Sequence, residues 1–141
     1  MLAAKWVDRF MDTAQNVSGW SNDGSRQVGA VIAQGKHVIS SGYNGQPANI
    51  DIIPIDKNHK NSLTIHAECN AILHAKRDLE GCSIFVYGLP PCQHCALLIV
   101  QANIRTVYYR LSRPISLRWE YECNAALATF ECAGVQVIEV K

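Results

Sequence analysis

Thr64-Ile65-His66-Ala67-Glu68-Cys69-Asn70-Ala71-Ile72-Leu73 reads as the opening of a helix, with Ile65, Cys69, Ile72 and Leu73 recurring at helical intervals. Downstream, Pro90-Pro91-Cys92-Gln93-His94-Cys95-Ala96 supplies two thiols in Cys-x-x-Cys spacing. An imidazole, two thiols and a carboxylate two positions after the imidazole suit zinc. A catalytic zinc site takes three protein ligands and keeps a fourth position open for water. Inside a helix, side chains at i and i+2 point about 200° apart, so His66 and Glu68 could not face one metal together. The first turn relaxes that limit, because the backbone is still entering the helix. His66 is therefore read as a metal ligand and Glu68 as a proton-carrying carboxylate beside it.

Pro91 before Cys92 resembles a second helix start, since proline loses nothing in a first turn. A helix N-terminus lowers a thiol's pKa and favours the thiolate that zinc requires. Two thiolates and one neutral imidazole would balance Zn²⁺. A structural zinc site would be closed by a fourth protein ligand, and Glu68 would then have no purpose.

The chain of 141 residues is 48% hydrophobic, which predicts one domain, residues 1–141, with a core of its own. A formal net charge of +1 leaves no electrostatic footprint for nucleic acid, although Arg105, Arg110, Arg113 and Arg118 cluster in sequence. No signal-peptide pattern and no membrane-spanning apolar run are read, so the expectation is a cytoplasmic protein with no membrane partner. Six cysteines without an export signal predict free thiols. Cys69, Cys82, Cys123 and Cys132 lack ligand spacing and are expected to be small buried hydrophobes. His59 and His94 are expected to lie outside the metal set.

In chain order, residues 2–16 predict an amphipathic helix, 28–33 a buried strand, 34–36 a hairpin turn and 37–43 the return strand. Residues 48–62 lack periodicity and read as a long loop. The Glu68 helix is expected to reach Leu79, with Gly81 as its stop. Strands follow at 83–87, 104–109 and 135–140, separated by helices at 92–102 and 119–132. An antiparallel hairpin followed by crossover units predicts an α/β fold. It is a three-layer α-β-α sandwich on a mixed five-stranded sheet, with the last two strands parallel.

His-x-Glu followed by Pro-Cys-x-x-Cys is the signature of zinc-dependent nucleobase deaminases. With Gln27-Val28-Gly29-Ala30-Val31-Ile32 and Gly42-Tyr43-Asn44-Gly45-Gln46-Pro47, the chain resembles the cytidine and deoxycytidylate deaminase superfamily, and its deoxycytidylate branch in particular. The likeness covers roughly Gln27 to Tyr109. It implies zinc held by His66, Cys92 and Cys95, Glu68 as proton shuttle, and hydrolysis of dCMP to dUMP and ammonia. It also implies that Asn44 binds the nucleoside, though an asparagine before glycine has a local turn reading as well. Backbone groups of Ala67 and Pro90 would read the pyrimidine edge. Arg26 and Arg113, which flank the strand ends, are candidates for a phosphate cradle. A homo-oligomer, possibly a hexamer, is implied by the family.

Two departures stand out. Gly88 occupies a position where relatives often carry threonine, and Arg110–Trp119 replaces a segment that often carries Asp and Tyr. Deamination of another base (tRNA adenosine, free cytosine or guanine) is the alternative activity.

Overall fold

The computed structural model describes residues 2–141. Its elements are α1 (Ala4–Ser18), β1 (Gly29–Gln34), β2 (His37–Tyr43), α2 (Lys57–Leu63), α3 (Ala67–Ala75), β3 (Ser83–Gly88), α4 (Gln93–Gln101), β4 (Thr106–Leu111), α5 (Leu117–Ala133) and β5 (Gln136–Glu139). The strands form one five-stranded sheet in the order β2-β1-β3-β4-β5. β1 is antiparallel to β2 and β3, whereas the β3–β4 and β4–β5 pairs are parallel. The expected mixed sheet with its last two strands parallel is thus the observed one.

Strand alternation sends neighbouring side chains to opposite faces. Val31, Ala33, Phe85 and Tyr108 pack under α1 against Phe10, Met11 and Ala14. Ala30, Ile32, Ile84, Val86 and Val107 face the other layer, with Ala67, Ala71, Ala96, Ile99, Ala126 and Phe130 from α3, α4 and α5. Both faces are covered, which is why β1 and β3 read as nearly continuous apolar runs. On the α1 side, Phe85 stacks on Tyr108 with centroids 4.6 Å apart and meets Phe10 at 5.1 Å. Arg110 on β4 reaches Asp8 and Asp12 of α1 at 3.8 and 3.7 Å. That arginine therefore serves the far layer.

Several boundaries differ from the sequence reading. The Glu68 helix stops at Ala75, because Lys76 takes a left-handed conformation (φ 51°). Leu79 is buried in the connection that follows. Residues 48–62 are not all loop: Asp56 caps α2 by accepting from His59 N at 2.8 Å. That helix, Lys57–Leu63, buries no residue, so it carries no apolar period to find. Pro91 lies outside α4, whose N-cap is Cys92. Cys132 is exposed and Cys69 only half-buried, both contrary to expectation, while Cys82 and Cys123 are buried. Among the described residues, no helix is long and apolar enough to cross a membrane.

α3 approaches β2 closely at Gly42. A Cβ there would lie 2.5 Å from both Ala67 O and Ala71 N, which are backbone atoms that cannot step aside. Gly42→Ala is therefore expected to destabilise the protein by about 1–3 kcal/mol through overpacking. Gly24→Ala, whose Cβ meets nothing within 4 Å, should stay within about 0.5 kcal/mol of wild type. Urea unfolding midpoints of the two variants check the difference.

Candidate functional site

The topology gathers loops at one end of the sheet. Gly29 at the start of β1 pairs with Tyr43 at the end of β2 and with Tyr87 near the end of β3. The parallel neighbour β4 ends beside Gly88. α4 and α5 begin just beyond the strands they follow, and α3 begins close by, tied through the Gly45–Ile65 bridge. In α/β sheets the crevice outside the carboxyl ends of the strands is the usual ligand position.

His66 is the N-cap of α3 with extended backbone (ψ 153°), so it stands outside the helix proper. Glu68 occupies the first turn. This removes the i, i+2 conflict and lets both side chains serve one centre. Cys92 caps α4, its sulfur accepting from Cys95 N at 3.5 Å, and Cys95 follows one turn in. His66 Nδ1 lies 3.3 Å from Cys95 Sγ and 3.5 Å from Cys92 Sγ. A tetrahedral zinc with ordinary bond lengths gives an N–S edge of about 3.5 Å. The three donor atoms lie within 4.8 Å of one another, and they fit the ion. His94 is exposed and outside the group, and His59 accepts from Ile55 N at 2.9 Å instead.

The electrostatics distribute protons unevenly among the three donors. Cys92 is held down to about 4, first by its hydrogen bond with Cys95 and then by His66. His66 is raised to about 9, chiefly by its hydrogen bond to Cys92. Cys95 is pushed up, because it holds its proton between the sulfurs of Cys69 and Cys92. Zinc, by its charge, would replace that proton and the imidazolium proton together. Glu68 is 4% exposed, and burial raises its pKa against the opposing pull of His66. Cys69 Sγ lies 3.7 Å from Cys95 Sγ, closer to the centre than its spacing implied.

A cavity of about 470 Å³ opens on this set, within the range of small-molecule sites. His66, Ala67, Glu68, Pro90 and Cys92 line its chemical end, and Asn44 and Arg26 line it as well. Asn44 is 7% exposed, and its amide is already engaged. Oδ1 accepts from Val28 N at 2.9 Å, and Nδ2 donates to Arg26 O at 2.8 Å. The Arg26 guanidinium donates to Gly88 O at 2.9 Å, Ser112 Oγ at 3.2 Å and Pro114 O at 3.4 Å. Arg113 does not line this cavity; it donates to Ser25 O and borders a neighbouring hollow.

Arg118 and Trp119, at the start of α5, do line it. Arg118 makes no hydrogen bond or ion pair among the described residues, and the sequence reading placed it only in an arginine cluster. Ser116 followed by an apolar segment was the cap signal that could have located this turn. Gly88 explains its own departure. At φ 118° a Cβ would sit 2.7 Å from Gln27 O, so threonine has no room.

The family model for the cytidine and deoxycytidylate deaminase zinc-binding region matches residues 4–111. An uncharacterized deaminase of the luxG 3′ region of Aliivibrio fischeri is 42% identical, over 96% of this chain and 94% of that protein. The Homo sapiens deoxycytidylate deaminase is 35% identical, over 93% of this chain and 77% of that protein. The dCMP deaminase of cyanophage S-TIM5, solved with dCMP and dUMP, shares the fold with a TM-score of 0.82 at 23% identity, covering 99% of this chain and all of that one. A matched region that contains both halves of the His-Cys-Cys set, with relatives of this identity, makes the chain a member of the zinc-binding cytidine and deoxycytidylate deaminase family.

Proposed function

We propose that the chain hydrolyses deoxycytidine 5′-monophosphate to deoxyuridine 5′-monophosphate and ammonia. The observation that carries this reading is the convergence of His66 Nδ1 on two thiols beside buried Glu68, at one end of a nucleotide-sized cavity. The deoxycytidylate deaminases among its relatives support the choice of substrate.

His66 Nδ1, Cys92 Sγ and Cys95 Sγ would hold zinc, which supplies the Lewis acidity that makes water a nucleophile near neutral pH. Glu68 does the proton work. Burial raises its pKa, which makes the carboxylate a stronger base toward the proton of the attacking water than a solvated one. It accepts a proton from the attacking water, passes it to N3, and serves the departing 4-amino group. The Ala67 N–H, in the first turn of α3, has no partner within the helix and can meet the pyrimidine edge, opposite the Pro90 carbonyl. Arg118 lines the cavity too and is unpaired among the described residues, so it is assigned the phosphate contact. Arg26 has its donors largely committed, and Arg113 is given no part in the phosphate contact.

Purified protein is expected to hold close to one zinc per chain, lost in Cys92→Ala. Glu68→Gln should keep the zinc while turnover falls by about 10²–10⁴-fold. Elemental analysis beside an ammonia assay separates the two effects, and near-normal turnover in zinc-replete Glu68→Gln would remove the proton role.

Charge-assisted hydrogen bonds to phosphate are worth roughly 1.5–3 kcal/mol, or about ten- to a hundredfold in kcat/KM. Arg118→Ala should lose that much on dCMP and little on deoxycytidine, while Arg113→Ala loses little on either. Equal kcat/KM for nucleotide and nucleoside in wild type would take the phosphate out of recognition. Release of ammonia from adenine or guanine compounds instead would change the base.

Self-association belongs to the same reading. Leu73 on α3 and Leu97 and Leu98 on α4 are 64%, 52% and 38% exposed, a large apolar surface for two site helices. Light scattering at micromolar concentration is expected to give a multiple of the 15.6 kDa chain mass. A monomer mass alone would exclude it.

A further inference from the structure

Trp119 is the pocket residue that the zinc chemistry leaves unexplained. Its backbone N–H donates to Ser116 Oγ at 3.2 Å, which fixes it in the first turn of α5. Its ring borders the cavity, with a centroid 6.5 Å from that of the His66 ring. The indole Nε1 is shielded from water, yet it meets no acceptor among the described residues. Asp23, Glu68 and Glu122 line the same cavity, and none of them takes this hydrogen bond. A buried donor left unpaired costs about 1–3 kcal/mol, so such groups call for a partner.

We propose that Trp119 is a substrate-positioning residue whose indole N–H donates to an oxygen of the bound nucleotide. The inference rests on the deaminase reading above and adds a specificity contact to it. An indole nitrogen only donates, so the partner must be an acceptor: the O2 carbonyl of the pyrimidine, a sugar oxygen or a phosphate oxygen. The amino group that leaves cannot be that partner. The reacting carbon must lie beside the His66–Cys92–Cys95 set, and the Trp119 ring lies near that set, its centroid 6.5 Å from that of His66. A nucleotide seated for reaction therefore passes along the indole, and the contact requires the ring to turn so that its shielded N–H edge meets the ligand. Fixing one oxygen there holds the nucleotide with its base toward Glu68, a binding contact made equally in the ground state and the transition state.

Trp119→Phe keeps an aromatic wall and removes only the donor. Its zinc content and melting temperature should match wild type, with KM for dCMP raised about three- to thirtyfold and kcat nearly unchanged. Loss on dCMP alone places the acceptor on the phosphate, and loss on dCMP and deoxycytidine alike places it on the base or sugar. Unchanged kcat/KM in a zinc-replete, folded variant overturns the proposal. A second measurement needs no change at this residue and no turnover. In a Trp6→Phe/Trp20→Phe protein, Trp119 is the remaining indole, and dCMP should shift or quench its emission in a saturable titration. No spectral change up to millimolar dCMP overturns the proposal. If wild type releases no ammonia from any cytosine compound, the deaminase reading fails instead, and the titration still decides the role of Trp119.

Discussion

One imidazole nitrogen within 3.3 and 3.5 Å of two sulfurs is the constraint on which the rest of the structure depends. The histidine comes from the cap of one helix, and the thiols come from the cap and first turn of another. Their meeting needs α3 seated on β2 to within atomic contact, which Gly42 permits. It also needs α4 to start directly beyond β3. The sheet order β2-β1-β3 sets those two helices side by side on one face. Once they are side by side, their N-termini share one end of the sheet. The exposed N–H groups of both first turns then favour thiolate sulfur over thiol. The depressed Cys92 also reflects its hydrogen bonds, with Cys95 first and then with His66, and the raised His66 reflects its hydrogen bond to Cys92.

Asn44 shows how a binding wall is made rigid before any ligand arrives. Its side-chain amide joins the backbones of Val28 and Arg26, and Ser21 Oγ donates to its own carbonyl at 2.8 Å. The turn into β1 and the end of β2 are thereby fixed to one another. An amide has a second N–H and a second lone pair, so the structural bonds leave capacity for a ligand. The turn reading and the binding reading of Asn44 are therefore compatible. The buried scaffold role is the one visible in its contacts.

What the sequence disclosed was what side-chain period and ligand chemistry encode. The apolar run at 28–33 with its hairpin turn at 34–36, and the strand–helix order from Ser83 onward, determine the sheet, and both were legible. His66, Glu68, Cys92 and Cys95 were legible because zinc restricts residue type and spacing together. The misses have physical causes. α2 is held by an Asp56 cap and buries nothing, so no apolar period announces it. The end of α3 is set by a left-handed lysine, a conformation that residue identity scarcely signals. Arg113 and Arg118 are chemically alike and five residues apart, and only the start of α5 decides which one reaches the cavity. Charge locates a patch, whereas direction comes from the backbone.

The site divides between segments with different tolerances. The chemical end is built from α3 and α4, where a shift of a fraction of an ångström would spoil a zinc tetrahedron. Other parts of the lining come from the segment before β1 and from Ser116, Arg118 and Trp119, which have no metal geometry to keep. Gly88 couples the two. Its carbonyl accepts from Arg26 at 2.9 Å and from Ser112 N at 3.3 Å, immediately before the chain turns toward Cys92. A larger residue there would collide with Gln27 O, so the strand end gives up a side chain and recruits Arg26 as scaffold. An arginine spent on carbonyls has few donors left for a phosphate. On the proposed reading recognition then falls to α5, which carries a guanidinium and an indole N–H at consecutive positions, both unpaired among the described residues.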